Sequence, residues 1–150
     1  GLHANGFSLV RAILGTENGD EIRKIPSDLN LVEELLKPTR LYVKEMSKIK
    51  DLDGVHAAAH ITGGGLPGNI KRVLPDGHQA KLEKSNWQVS PIFEWLAERG
   101  DVDEEEMFRT FNMGIGFVVI AAYEAVDNLI EEGFSLIGSV HGGKKGVTLI

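Results

Sequence analysis

The chain has 150 residues with a formal charge of −6, 42% of them hydrophobic and 25% charged, and it contains no cysteine. That is one domain's worth of ordinary globular sequence, able to bury roughly 70% of its unfolded surface. Disulfides, thiol nucleophiles and thiolate metal sites are excluded, general affinity for nucleic acid is disfavoured, and no apolar run approaches the roughly 20 residues of a membrane span.

The opening "GLHANG" lacks a methionine and begins in mid-pattern, as a fragment of a longer chain would. No secretory signal pattern follows, which is compatible with a cytoplasmic protein. "HANGFSLVRAIL" predicts a helix capped by Asn5, with Phe7, Val10, Ile13 and Leu14 at helical spacing. "TENGDEIRKIPSD" predicts a polar loop with a turn at Asn18-Gly19. In "LNLVEELLKPTRLYVKEMSKIK" two helical pieces are expected on either side of Pro38, which a helix interior tolerates poorly.

"GVHAAAHI" reads as a short buried strand, and "GNIKRVLP" as a brief helix stopped by Pro75. "HQAKLEK" alternates like an edge strand; "PIFEWLAERG" starts with proline and ends in glycine, as helices do. The acidic stretch "ERGDVDEEE" suits the solvated start of a further short helix, "DEEEMFRTF". "GIGFVVIAA" carries the strongest strand pattern. "YEAVDNLIEEG" is a helix closed by Gly133, and "SLIGSV" and "GVTLI" are two last strands around a "HGGKKG" turn. Alternating helices and strands place the fold in the α/β or α+β class, a sheet covered by helices.

Three places could carry chemistry. Gly63, Gly64 and Gly65 lie between a strand and a helix, where free backbone N–H groups and the helix dipole favour an anion. Pro67 supplies no donor there, while Lys71 and Arg72 could add charge. "GGG" fits neither the dinucleotide nor the Walker fingerprint, so a phosphate cradle and a purely structural tight turn both stand. Among the histidines, His56 and His60 would sit about 13 Å apart on one face of a strand, too far to share a metal. His60 would emerge beside the glycine loop, and His3 precedes a helix together with Asn5; either is a candidate general acid or orienting group, or a hydrogen-bonded structural residue. His78 and His141 fall in turn-like settings. In "MFRTFNMGIGFVV", Arg109, Thr110 and Asn112 lead polar groups into a strand, either toward a ligand or as capping contacts at a bend.

Four strings, "GLHANGFSLVR", "PTRLYVK", "HAAAHITGGGLPGNIKRVLP" and "MFRTFNMGIGFVV", together resemble the aminoimidazole ribonucleotide synthetase family, the phosphoribosylformylglycinamidine cyclo-ligases of purine biosynthesis. "SNWQVSPIFEWL" is similar as well, and the likeness runs in order from Gly1 to nearly Ile150. It covers only that family's carboxy-terminal domain; the ATP-binding amino-terminal domain, with its D-x4-G-A-x-P motif, has no counterpart here. The family often has serine where this chain has Ala4.

The resemblance implies a single domain over residues 1–150 that packs helices on a mixed sheet and closes the cleft of a dimeric enzyme. It implies ATP-driven conversion of formylglycinamidine ribonucleotide to aminoimidazole ribonucleotide. The amide oxygen is activated by phosphorylation, a neighbouring nitrogen attacks the same carbon, and phosphate leaves as the imidazole ring closes. ATP and Mg2+ are then held mainly by the other domain, with neither expected on this fragment, which alone should be inactive. Partners would be the substrate, the amino-terminal domain and a second copy, with no nucleic acid and no membrane.

Such a site needs a phosphate anchor, donors facing developing charge, and proton transfer. Thr62 with Gly63, Gly64 and Gly65 would supply the anchor, Asn5, Arg109, Thr110 and Asn112 would line the substrate, and His3 and His60 would be the catalytic candidates. Other readings remain: the same domain from formylglycinamidine ribonucleotide synthetase, selenophosphate synthetase or thiamine monophosphate kinase, or a non-catalytic anion- or nucleotide-binding module or dimerisation piece.

Overall fold

The computed structural model describes residues 1–15 and 30–150, so the predicted loop and Asn18-Gly19 turn lie outside the described residues. The chain runs α1 (Phe7–Leu14), α2 (Leu31–Leu36), α3 (Val43–Ile49), β1 (Val55–His60), α4 (Gly65–Val73), β2 (His78–Leu82), α5 (Pro91–Gly100), α6 (Glu104–Thr110), β3 (Phe117–Ala121), α7 (Val126–Glu131), β4 (Gly138–Gly142) and β5 (Gly146–Leu149). Short 3-10 turns cover Lys84–Asn86 and Tyr123–Ala125. This is an α+β fold with sheets of mixed direction.

Two separate sheets carry the strands. β1 and β3 form an antiparallel pair, with Ala58 opposite Val119 and His60 opposite Phe117. The other sheet has the order β4-β2-β5, with β4 antiparallel and β5 parallel to β2. The alternation in "HQAKLEK" therefore marks a central strand, not an edge. Its period of two arises because Ala80 and Leu82 are buried while Lys81, between them on the other face, is exposed. The two last strands, likewise, do not pair with each other across "HGGKKG": β2 lies between them. His78 and His141 are strand residues, opposite Gly142 and Gln79.

The helices follow local chemistry. Pro38 falls in the extended connection between α2 and α3. Asn30 caps α2 by accepting from Glu33 N, and Asp103 caps α6 by accepting from Glu106 N at 2.8 Å, with Glu104, Glu105 and Glu106 in the favourable first turn. α5 has Pro91 at its start, and its far end is closed by Asp101 in the left-handed region. α1 departs from expectation. Its N-cap is Gly6, at φ 78°, because the Asn5 side chain is drawn 56 residues away along the chain to the Ile61 carbonyl.

One large core joins the buried face of α4 (Leu66, Ile70, Leu74) to Ile92, Phe93 and Leu96 of α5 and to Met107, Phe108 and Phe111 around α6. A small satellite holds Ile49, Ala125 and Leu129. The strand β1 is less enclosed than "buried" implies: only Ala59 is buried, and His56 and His60 are exposed.

Candidate functional site: a glycine corner where three segments meet

The amino-terminal turn, the glycine loop and the end of α6 converge. The Asn5 side chain donates to Ile61 O at 3.4 Å, and Ile61 N donates to Gly116 O at 2.9 Å. A Cβ at Gly65 would run into the Phe108 carbonyl, and one at Gly6 into the Phe111 ring. Asn112 closes the set by donating to Gly1 O at 3.1 Å. Residues separated by up to 111 positions are thus brought to one corner.

The glycine loop is organised from below by Asn69, a residue outside the sequence's candidate set. Asn69 is 4% exposed. Its Nδ2 donates to Gly65 O at 2.8 Å and Thr62 O at 3.0 Å, with Gly63 O at 3.4 Å. Its Oδ1 accepts from Arg72 Nη1 at 2.9 Å and from Thr62 Oγ1 at 3.3 Å. In a trans peptide the C=O of one residue and the N–H of the next point in opposite directions. Drawing the Thr62 and Gly63 carbonyls toward Asn69 therefore turns the Gly63 and Gly64 N–H groups away from it.

Among the described residues neither of those amides meets a protein acceptor, whereas Gly65 N is already committed to Thr62 O at 3.0 Å. Two of the three glycine amides are available, not three. Gly64 and Gly65 adopt φ of 98° and 59°, a left-handed pair that only glycine holds without strain. Gly63 is exposed, and the Arg72 guanidinium lies beside Gly64, 3.6 Å from where a Cβ would stand. α4 begins at Gly65, earlier than the sequence pattern indicated, so its dipole points directly out of the loop.

The remaining candidates divide. Arg109 is exposed and ion-paired with Glu106, whose other oxygen accepts from Thr110 Oγ1 at 2.7 Å. Both side chains are occupied by the same carboxylate. Asn112 is 1% exposed; besides Gly1 O it binds Gly114 N at 2.9 Å through Oδ1, so its contacts organise the bend into β3.

His3 and His60 belong to an aromatic group beside the loop. Tyr42, from the connection into α3, stacks on Phe117 at 5.2 Å and meets the edge of His60 at 5.9 Å; its hydroxyl is 3.5 Å from His3 Nε2. Burial first, with His60 nearby, holds the His3 imidazole below its ordinary basicity. Burial pushes the Tyr42 phenol up.

Two open concavities lie elsewhere. One of about 550 Å³ is lined by Asp51, Asp53, Gly54 and Glu124; the other, of about 480 Å³, sits between α5 and α6 against Phe93, Met107 and Phe108. The glycine loop lines neither. Among the described residues no three His, Asp or Glu side chains gather as a metal cradle, and no helix is long and apolar enough to cross a membrane.

A family model described as AIR synthase related protein, C-terminal domain, matches residues 1–150. The chain belongs to that family. Curated relatives named phosphoribosylformylglycinamidine cyclo-ligase are similar to it along most of its length. One from Caldicellulosiruptor saccharolyticus is 45% identical over 158 aligned residues, covering 99% of this chain and 46% of the relative. One from Geobacillus kaustophilus is 47% identical over 134 residues, covering 87% and 38% respectively. One from Bacillus velezensis is 45% identical over 152 residues, covering 96% and 44%. This AIR synthase-related domain therefore spans about half the length of the curated relatives it matches. Its glycine corner, with the asparagine beneath it, lies wholly within the matched part.

Proposed function

We propose that this domain is the carboxy-terminal half of a phosphoribosylformylglycinamidine cyclo-ligase acting in purine biosynthesis, and that its own share of the work is to anchor the substrate's 5′-phosphate. One observation carries the reading: Asn69 gathers the loop carbonyls inward, leaving the Gly63 and Gly64 amides without protein acceptors among the described residues at the mouth of a helix. A phosphate oxygen placed there would accept from both amides and face the Arg72 guanidinium. Thr62, half-buried beside them, adds a hydroxyl.

Anchoring a remote phosphate fixes the reacting end of the substrate in position, and such pre-paid orientation lowers a ring-closure barrier. His60, exposed at the end of β1, and His3, whose basicity burial lowers, both meet the Tyr42 ring, and we take them as the candidates to move the proton lost on closure. ATP, when bound, supplies phosphoryl activation of the amide oxygen. We assign ATP and Mg2+ to the half of the enzyme beyond this chain. The same reading makes the open corner one wall of a cleft in a cytoplasmic homodimer, closed by the other domain.

Calorimetry with ribose 5-phosphate tests the anchor. The wild-type chain should bind it, and Gly64→Val, which adds a side chain beside Arg72 in a left-handed position, should lower affinity about tenfold while the chain stays folded. Equal affinity in the two proteins removes the anchor from the account. The 150-residue chain alone should show no ring closure; measurable turnover would overturn the division of labour between halves.

A further inference from the structure

The aromatic group contains a contact that the phosphate anchor does not use. His3 sits at φ 60°, a left-handed position unusual for a residue with a side chain, so its surroundings hold it there. Its Nδ1 is enclosed and meets no hydrogen-bond partner among the described residues. Its Nε2 has one neighbour, the Tyr42 hydroxyl at 3.5 Å, the outer limit for such a bond.

Gly116 makes the approach possible. A Cβ there would overlap both the Tyr42 hydroxyl and His3 Cε1. Tyr42 is itself held on several sides: stacked on Phe117, edge-on to His60, and with the Arg40 guanidinium 5.6 Å from its ring centre. Arg40 is fixed in turn by an ion pair with Glu45.

We propose that Tyr42 is the positioning residue of the His3 side: its Oη accepts the His3 Nε2–H and locks the imidazole in that tautomer. The tautomer follows from the enclosed Nδ1. An orphaned N–H in a closed space is rarer and costlier than an orphaned lone pair, so the proton resides on Nε2, where an acceptor exists. Tyr42 Oη has no other partner among the described residues, so its own proton is uncommitted and is available to a ligand at the corner. The groups facing His3 are Tyr42 and His60, and those facing Tyr42 are Arg40 and Glu45. The proposal rests on the reading that His3 lines the substrate corner, but its test does not involve phosphate.

Long-range 15N–1H correlation of the histidine rings in the whole chain reports tautomer and titration midpoint together. Wild-type His3 should be Nε2–H, with a midpoint below that of free imidazole. In Tyr42→Phe the amide spectrum should be preserved, and the midpoint should fall further, by about half a pH unit, because the imidazolium loses its acceptor. A midpoint that rises instead means the tyrosine donates to a bare Nε2; no change means the contact is idle. Either result overturns the proposal. If Tyr42→Phe does not fold, the wild-type tautomer decides: an Nε2–H ring supports the lock, and the solution-like mixture of a free imidazole contradicts it. Loss of phosphate binding leaves these signals untouched, so the two readings fail separately.

Discussion

Two buried asparagines, Asn69 and Asn112, show how one residue type can open a corner or close it. Asn69 is 4% exposed and Asn112 1%, and they are the buried polar side chains of the described core. Asn69 spends its amide on carbonyls at the start of its own helix, which turns neighbouring N–H groups outward with nothing to bind. Asn112 takes one carbonyl, Gly1 O, and one N–H, Gly114 N, and so completes the bend it sits in. What differs is the balance of donors and acceptors each leaves behind. A loop whose carbonyls are all engaged from below becomes a set of donors; a loop whose N–H is captured does not.

The glycine loop meets α6 at Gly65, and the largest effect is expected there. Gly65→Ala forces a Cβ into the Phe108 carbonyl at a left-handed φ, so stability in urea should fall by about 4 kcal/mol or more. A loss below about 1 kcal/mol would mean that α4 and α6 can part cheaply. Next come the asparagines themselves. Asn69→Ala and Asn112→Ala should each cost about 2–3 kcal/mol, since each strands buried backbone groups. They should separate on binding: Asn69→Ala loses ribose 5-phosphate affinity, whereas Asn112→Ala keeps it. If both lose it equally, the two asparagines do not differ in function. The smallest expected effects are the Gly64→Val affinity change, about tenfold, and the Tyr42→Phe shift in the His3 midpoint, about half a unit.

Much of this was legible in the sequence. The helix Pro91–Gly100, the break at Pro38 and the strand entering "FVVIA" follow from proline, glycine and periodicity within each segment. Two of the singled-out segments also prove to be neighbours, since a Cβ at Gly65 would meet the Phe108 carbonyl and the Arg109 backbone. What was hidden depends on partners far along the chain. Asn5 could not be seen to leave its helix for Ile61, and "HQAKLEK" could not reveal that strands from the last thirteen residues would flank it.

Asn69 did leave a local signal. On α4, Leu66, Ile70 and Val73 mark the inward face, and Asn69 falls on that face at helical spacing. Asparagine is a poor helix former because its side chain competes for backbone groups. A poor helix former on the buried stripe, four residues after a glycine, points to a side chain engaged with the loop above it. Tyr42 left no such mark; its role appears only when Gly116 admits it beside His3.

The most direct test of the outward-facing amides is a 1H–15N titration of the chain with inorganic phosphate. Saturable downfield shifts of the Gly63 and Gly64 N–H signals are expected in the wild type and should be absent in Asn69→Ala. Immobile Gly63 and Gly64 signals in the wild type, at phosphate concentrations that move amides elsewhere, would contradict that orientation of the amides.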